Sequence, residues 1–297
     1  MKPQETPRRF RLILLLAVAC GALMMIPAIR AADEPQNNLI QMLAAGKPAI
    51  GIWSGTTPST RATRVLATSD ADFIVADIEH EIYDFPTLHR FVLEVADFSQ
   101  RYRATPKSMP AILVKLGHRG GWDPRQEIAE TMRVGPVTGI WVPIVESGAE
   151  MARIVSTYSQ SEQTALEGIN VSEQGGHTAA SPLWPLNPKG RLMVVAMIET
   201  DEGVKNAEEI IRTPGLAAIE TVHISEPDAA KVVKLCLQYH VIPAVDANPN
   251  NVKAKLAAGY KLLSLGWDYG LMEQKLTENM KAVRAVTMEG ATSSAKQ

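Results

Sequence analysis
The chain has 297 residues, 46% of them hydrophobic and 21% charged, with 20 Gly and 19 Pro. This excludes disordered, collagen-like and low-complexity chains and suits one globular domain of generous size, most economically an α/β barrel or a doubly wound sheet. Lys plus Arg number 30 against 32 for Asp plus Glu, a formal net charge of −2, so no basic excess exists to neutralise a nucleic-acid backbone.

The first segment reads as an address. Lys2, Arg8, Arg9 and Arg11 precede an apolar stretch from Leu12 to Ile26, Pro27 breaks it, and Ile29-Arg30-Ala31 places a small residue at the cleavage position. This is the order of a secretory signal peptide, 1–31. The stretch is shorter than the roughly 20 residues a spanning helix needs; an uncleaved N-terminal anchor is the alternative. Arg8-Arg9 has the look of a twin-arginine signal, but the residues after it fit poorly. Ala17-Val18-Ala19-Cys20 is an imperfect lipoprotein box, with Ala where Leu is usual. The expectation is an exported protein, periplasmic or secreted, with a single domain over 32–297 and no stable membrane span after cleavage. Cleavage removes Lys2, Arg8, Arg9, Arg11 and Arg30 but only one acid, Glu5, leaving 25 basic and 31 acidic residues, a net of −6. Only Cys236 then remains, so no internal disulfide forms, and its helical spacing from Val232 and Val233 marks a small core residue rather than a nucleophile.

Eight β-rich runs follow: Ala49–Trp53, Phe73–Ile78, Ala111–Leu116, Gly139–Val145, Leu192–Ile198, Ala217–Ile224, Val241–Val245 and Lys261–Leu265. They are nearly continuously apolar, as strands buried on both faces of a parallel sheet are. Between them lie amphipathic segments at Phe85–Tyr102, Arg125–Val134, Ala149–Tyr158, Val204–Arg212, Pro227–Tyr239, Asn251–Ala258 and Gly270–Val286, and Pro58–Ser69 is the least periodic crossover. Asp84 before Phe85-Pro86, Glu226-Pro227-Asp228 and Asn248-Pro249-Asn250 are helix starts. Eight βα units in series predict a (β/α)8 TIM barrel, with Asn37–Ala45 as a helix closing its bottom. An open doubly wound sheet is the second choice, but no GxGxxG follows the first strand. A long irregular loop, 159–190, is expected on the face where barrels keep their chemistry.

That face collects polar residues: Trp53-Ser54 after strand one, Asp77, Glu79 and His80 after strand two, Lys115 and His118-Arg119-Gly120-Gly121 after strand three. Glu199-Thr200 follow strand five, His223, Ser225 and Glu226 strand six, Asp246 strand seven and Trp267-Asp268 strand eight. Some strands must end in polar residues whatever the function, but Asp77 lies within an apolar run, where a carboxylate without partners is costly. Glu199 and a second acid suit a divalent cation, a His held by an Asp can move a proton near neutrality, and Lys115 can stabilise an enolate oxygen. These parts describe metal-assisted enolisation beside a carbonyl; a Schiff base on Lys115 is the alternative chemistry. HExxH, GxSxG and paired CxxC motifs are absent, which leaves zinc peptidase, α/β-hydrolase and zinc-ribbon readings without support.

Gly51-Ile52-Trp53-Ser54, the run Asp72 to His80, Val142-Pro143-Ile144-Val145-Glu146 and Ile198-Glu199-Thr200 occur in barrel order, and Leu265-Gly266-Trp267-Asp268 closes the series. From about Asn38 to about Arg284 the chain resembles the class II pyruvate aldolase family, typified by 4-hydroxy-2-oxoheptanedioate aldolase, with citrate lyase β subunits as more distant relatives. The resemblance implies a barrel of the phosphoenolpyruvate/pyruvate type that cleaves a 4-hydroxy-2-oxo acid to pyruvate and an aldehyde with Mg²⁺ or Mn²⁺. It implies His80 as base, Asp77 as its orienter, Glu199 as metal ligand, and a homo-oligomer, commonly a hexamer, that exchanges its last helix. Lys115 stands where the family has an arginine for the keto oxygen, and the bidentate fork is lost. The second metal-binding Asp falls on Ser225, so Glu226 or His223 is expected to replace it, and an Asp that supports a neighbour's base is Arg133 here. Trp53 and Ser225 are expected beside the substrate with Lys115, and Gly175-Gly176-His177 resembles a carboxylate-cradling segment. The altered positions favour a rival reading: a non-catalytic exported barrel that binds an oxo acid or another small anion.

Overall fold
A computed structural model describes residues 38–55, 59–80, 84–102, 109–117, 123–167 and 181–294, with the backbone alone at 162–167 and 288–294. The expected signal 1–31, His118–Gly121 and Gly175–His177 lie outside the described residues.

Eight parallel strands close into a barrel in sequence order, with the last pairing to the first. They are β1 Ala49–Ser54, β2 Phe73–Asp77, β3 Ala111–Lys115, β4 Gly139–Val142, β5 Met193–Ile198, β6 Ala218–Thr221, β7 Ile242–Asp246 and β8 Leu262–Trp267. The expected (β/α)8 architecture is therefore present, each strand falling on its apolar run. Alternation sorts the side chains into two cores. Phe73, Val75, Leu113, Trp141, Val195 and Met197 fill the interior with Leu39, Ile40 and Leu43 of α1, Asn38–Ala44, which leads into β1 and so plugs the N-terminal end. Ile74, Ala76, Val114, Ile140, Val194 and Ile219 face outward onto the helices.

Two strands stop three residues short of their apolar runs, both at the C-terminal end. β4 was expected to reach Val145, but Pro143 has no N–H for the ladder and Ile144 turns at φ 50. β6 was expected to reach Ile224, but His223 turns at φ 56.

The helices are α2 Thr60–Thr68, α3 Phe85–Tyr102, α4 Pro124–Arg133, α5 Gly148–Glu167, α6 Asp201–Lys205, α7 Ala207–Ile211, α8 Glu226–Gln238, α9 Val252–Ala257 and α10 Asp268–Ser294. Ser59 caps α2 by accepting from the Ala62 N–H at 3.2 Å. The helix expected over Val204–Arg212 is instead the pair α6 and α7, broken at Asn206, whose side-chain amide donates to the Glu146 carbonyl at 2.8 Å. Cys236 is buried in the outer core, and burial pushes its thiol up to about 12, which suits a packing role. Among the described residues no helix is long and apolar enough to cross a membrane.

The loop expected at 159–190 is corrected in two ways. Ser159–Glu167 continues α5, and the described remainder, 181–192, sits at the N-terminal end of the barrel rather than the functional one. Leu183 bridges Leu192, the residue before β5, and Trp184 packs in the interior with Leu39 and Ile40 of the plug. A segment that leads into a strand reaches its N-terminal end; only segments that follow strands reach the other.

Helix α10 differs from the rest. Leu276 is 62% exposed and Val283 61%, and Leu271, Met272, Met280 and Val286 are exposed with them. On the barrel wall Ile50 of β1 and Leu265 of β8 are exposed too, so the outer face of the β8–β1 seam is uncovered.

Gly139 sets how closely β4 approaches β5. A Cβ there would lie 2.5 Å from the Met193 carbonyl oxygen and 2.8 Å from Met193 Cγ. Gly139→Ala is expected to destabilise the barrel by about 2 kcal/mol, through forced strand displacement, in urea-unfolding measurements.

Candidate active site
Asp77 ends β2 and is fully buried. Its Oδ1 accepts the backbone N–H of Glu79 at 2.7 Å and of His80 at 3.0 Å, which folds the chain back just past the strand. Its Oδ2 lies 2.8 Å from His80 Nδ1. A carboxylate can only accept, so Nδ1 carries the proton and Nε2 is left as the basic nitrogen. The imidazole is 55% exposed at the barrel mouth.

Lys115 is the register partner of Asp77 on β3, so both side chains emerge on one face. Its ammonium lies 2.7 Å from Glu79 Oε2 and 3.6 Å from Asp77 Oδ2, and it is itself buried. It also lies 5.7 Å from the centre of the Trp53 ring. Each charge would be costly here alone; together they are paired. Trp53 is buried, with its ring 5.1 Å from Trp141 and 5.5 Å from Trp267.

Glu199 stands just beyond β5, and its Oε2 accepts the Ile144 N–H at 3.0 Å. A β-branched residue at φ 50 is strained, and the strain turns that N–H toward the carboxylate. Glu220 of β6 is a residue the sequence reading missed. It is only 2% exposed, and Trp141 Nε1–H donates to its Oε2 at 3.0 Å. Burial pushes its carboxyl up to about 8, and the charge of Asp246 adds to the shift, against opposing contributions from Trp141 and Lys115. The signal was available: a carboxylate inside an apolar run, the criterion that singled out Asp77.

A cavity of about 430 Å³ unites these groups, lined by Trp53, Glu79, His80, Lys115, Ile144, Met197, Glu199, Thr200, Glu220, Val222, His223, Asp246 and Trp267. Two predicted site residues, Ser225 and Glu226, lie elsewhere, as does Arg133. Ser225 caps α8, its hydroxyl accepting the Asp228 N–H at 3.3 Å and donating to the Asp228 carboxylate. Glu226 begins α8 and lines a separate groove with Lys234, Leu237, Lys255 and Tyr260. Arg133 is exposed and pairs with Glu130 at 3.0 Å.

Among the described residues, Asp77, Glu79 and His80 are the group whose ligand atoms come within 4.8 Å of one another, and Lys115 already pairs with both of its carboxylates. Glu199, His223 and Asp246 line the same cavity, but their ligand atoms do not gather within 4.8 Å of one another as those of that group do. Carboxylate oxygens and imidazole nitrogens of this lining are of the kind that Mg²⁺ and Mn²⁺ accept, and Glu226 is not part of it.

The family model for HpcH/HpaI aldolase/citrate lyase matches residues 50–291. A 4-hydroxy-2-oxo-heptane-1,7-dioate aldolase of Klebsiella pneumoniae is 26% identical over 183 residues, 60% of this chain and 61% of that protein. A 5-keto-4-deoxy-D-glucarate aldolase of the same species is 24% identical over 185 residues, 62% of this chain and 65% of that protein. The aligned stretch thus spans less than two thirds of either relative. An HpcH/HpaI aldolase/citrate lyase family protein from Burkholderia cenocepacia shares the fold, with a TM-score of 0.65 at 19% identity over 84% of this chain and 100% of that one.

Because the Glu220 carboxyl is raised from its ordinary 4.5 to about 8, the folded state binds an extra proton between those values. The stability this lends is complete below about 4.5 and is lost as pH rises through about 8, with a slope of roughly 1.4 kcal/mol per pH unit in between. Glu220→Gln keeps an acceptor for Trp141. It is expected to flatten this dependence and raise the melting temperature at pH values above about 8, read by thermal unfolding in chelator across the range.

Proposed function
Since the chain belongs to the HpcH/HpaI aldolase/citrate lyase family, we propose that it is a carbon–carbon lyase, cleaving or forming a small 4-hydroxy-2-oxo acid to or from pyruvate and an aldehyde. The observation that carries this reading is the Asp77–His80 pair, with Nε2 left basic at the mouth of a cavity that also holds Lys115 and Glu199.

In the cleavage direction His80 Nε2 takes the proton of the substrate's C4 hydroxyl. The C3–C4 bond breaks, the aldehyde leaves, and the electron pair spreads onto the oxo oxygen as an enolate. Protonation at C3 by His80 then yields pyruvate and restores the base. Asp77 stabilises the imidazolium through Nδ1, and Lys115 places positive charge beside the developing enolate. A divalent ion, Mg²⁺ or Mn²⁺, would be held by Glu199, with His223 and Asp246 in reach of the same cavity, and would act as a Lewis acid for the carbonyl. A Schiff base on Lys115 is disfavoured, because it would break the ion pairs to Glu79 and Asp77 and leave buried carboxylates uncompensated.

Pyruvate release from 4-hydroxy-2-oxo acids tests the reading. His80→Ala is expected to lower turnover roughly 10²–10⁴-fold, and Glu199→Ala or chelator to abolish it along with Mn²⁺ binding. The position of Ser225 as a helix cap favours the rival, a binding barrel without catalysis, and absence of both turnover and metal binding would select it.

We also propose a homo-oligomer in which α10 of one copy covers the β8–β1 seam of another, matching its exposed stripe to the exposed Ile50 and Leu265. Leu276→Asp with Val283→Asp is expected to shift the protein to monomers in light scattering coupled to size exclusion. Export remains part of the proposal: protein recovered from periplasm or medium is expected to begin at Ala32.

A further inference from the structure
The cavity is chemically two-sided. Glu79, Lys115 and Glu199 supply charge, whereas Trp267 supplies an aromatic surface that continues outward through Tyr269. The Trp267 ring centre lies 6.1 Å from the His80 imidazole, the two meeting edge-on at 79°. Tyr269 lies 5.6 Å from Trp267 at a tilt of 31° and is 39% exposed, so the surface runs from beside the base to solvent.

This surface is seated by the backbone. A Cβ on Gly55 would fall 2.3 Å from Trp267 Cε3 and 2.6 Å from Tyr269 Cε1, so only glycine lets both rings lie flat against the end of β1. Asp268, between them, accepts the Gly55 N–H at 3.1 Å and the Tyr269 N–H at 2.7 Å through Oδ1. Trp53 packs behind Trp267 at 5.5 Å. The rings are therefore positioned from below; Trp267 lines the cavity, and Tyr269 continues the surface toward solvent.

We infer that Trp267 and Tyr269 form a subsite for a planar aromatic group, so that the substrates are 4-hydroxy-2-oxo acids with an aryl group on C4, released as aryl aldehydes. The inference rests on the proposed lyase reading. The charged side takes the oxo-acid end, and C4 must lie at His80, which places its substituent beside Trp267. A distal carboxylate at that place would need a cation, and among the described residues lining the cavity the one Lys or Arg, Lys115, is committed to Glu79.

Binding tests this without turnover, because 4-phenyl-2-oxobutanoate and 2-oxobutanoate both lack the C4 hydroxyl. By calorimetry the phenyl compound is expected to bind about tenfold tighter, the scale of one buried aromatic contact. Trp267→Ala is expected to bring the two affinities within about twofold, and Trp267→Phe to retain most of the difference. Gly55→Ala, which displaces the rings without removing them, is expected to lose the preference; circular dichroism verifies that each variant folds. Equal binding of the two compounds by the native protein, binding of neither, or an undiminished preference in Trp267→Ala would overturn the inference. A preserved preference with no pyruvate release from any 4-hydroxy-2-oxo acid would refute the lyase reading and leave the aromatic subsite standing.

Discussion
A carboxylate wholly removed from water, as that of Asp77 is, persists only where donors converge on it. Here the N–H groups of Glu79 and His80 fold the chain around Oδ1, while the imidazole and, at 3.6 Å, the Lys115 ammonium meet Oδ2. One group thereby ends β2, sets the tautomer of His80 and balances a buried cation. Replacing it with an apolar residue would leave Lys115 and the turn short of a partner together, so the fold of this end and its chemistry are not separable.

The rest of the functional end is made where strands give out. Pro143 interrupts β4, and Ile144 bends back to offer its N–H to Glu199 across on the next strand. His223 leaves β6 in the same left-handed conformation and joins the cavity lining. Such conformations cost energy, and regular pairing below them, with both faces of the strands buried, holds them in place. Rigid strands thus deliver side chains from all eight strand ends to one space of about 430 Å³.

Charge within that space is uneven. The Asp77, Glu79 and His80 group has its own cation in Lys115. Glu199, Glu220 and Asp246 share the other part, and the consequence is visible at Glu220, whose carboxyl is driven up to about 8 by burial and by Asp246. Trp53 and Trp267 give the same space an aromatic side. A positively charged partner for a substrate carbonyl would find complementary surroundings among these carboxylates.

Much of this was legible from the residues alone. Near-continuous apolar runs separated by amphipathic segments specify a parallel barrel, because strands buried on both faces need apolar residues on both. Asp77, His80, Lys115 and Glu199 stood out as polar residues at strand ends, and all four open on or border one cavity. Spacing could not decide the positions whose neighbours come from distant segments. Ser225 and Glu226, adjacent to a strand end, are drawn into the first turn of α8 by the capping hydrogen bonds of that helix. Glu220 looked like part of an apolar run until Trp141, 79 positions earlier, was seen to donate to it. The segment before β5 went to the plugged end because chain direction, rather than composition, assigns loops to ends. Sequence by itself determined the alternation of elements and the residue types at the strand ends, since both follow from local periodicity. Which of those residues meet, and which are spent on caps and turns, was decided only by barrel closure, which brings side chains from eight strands, far apart in sequence, to one cavity.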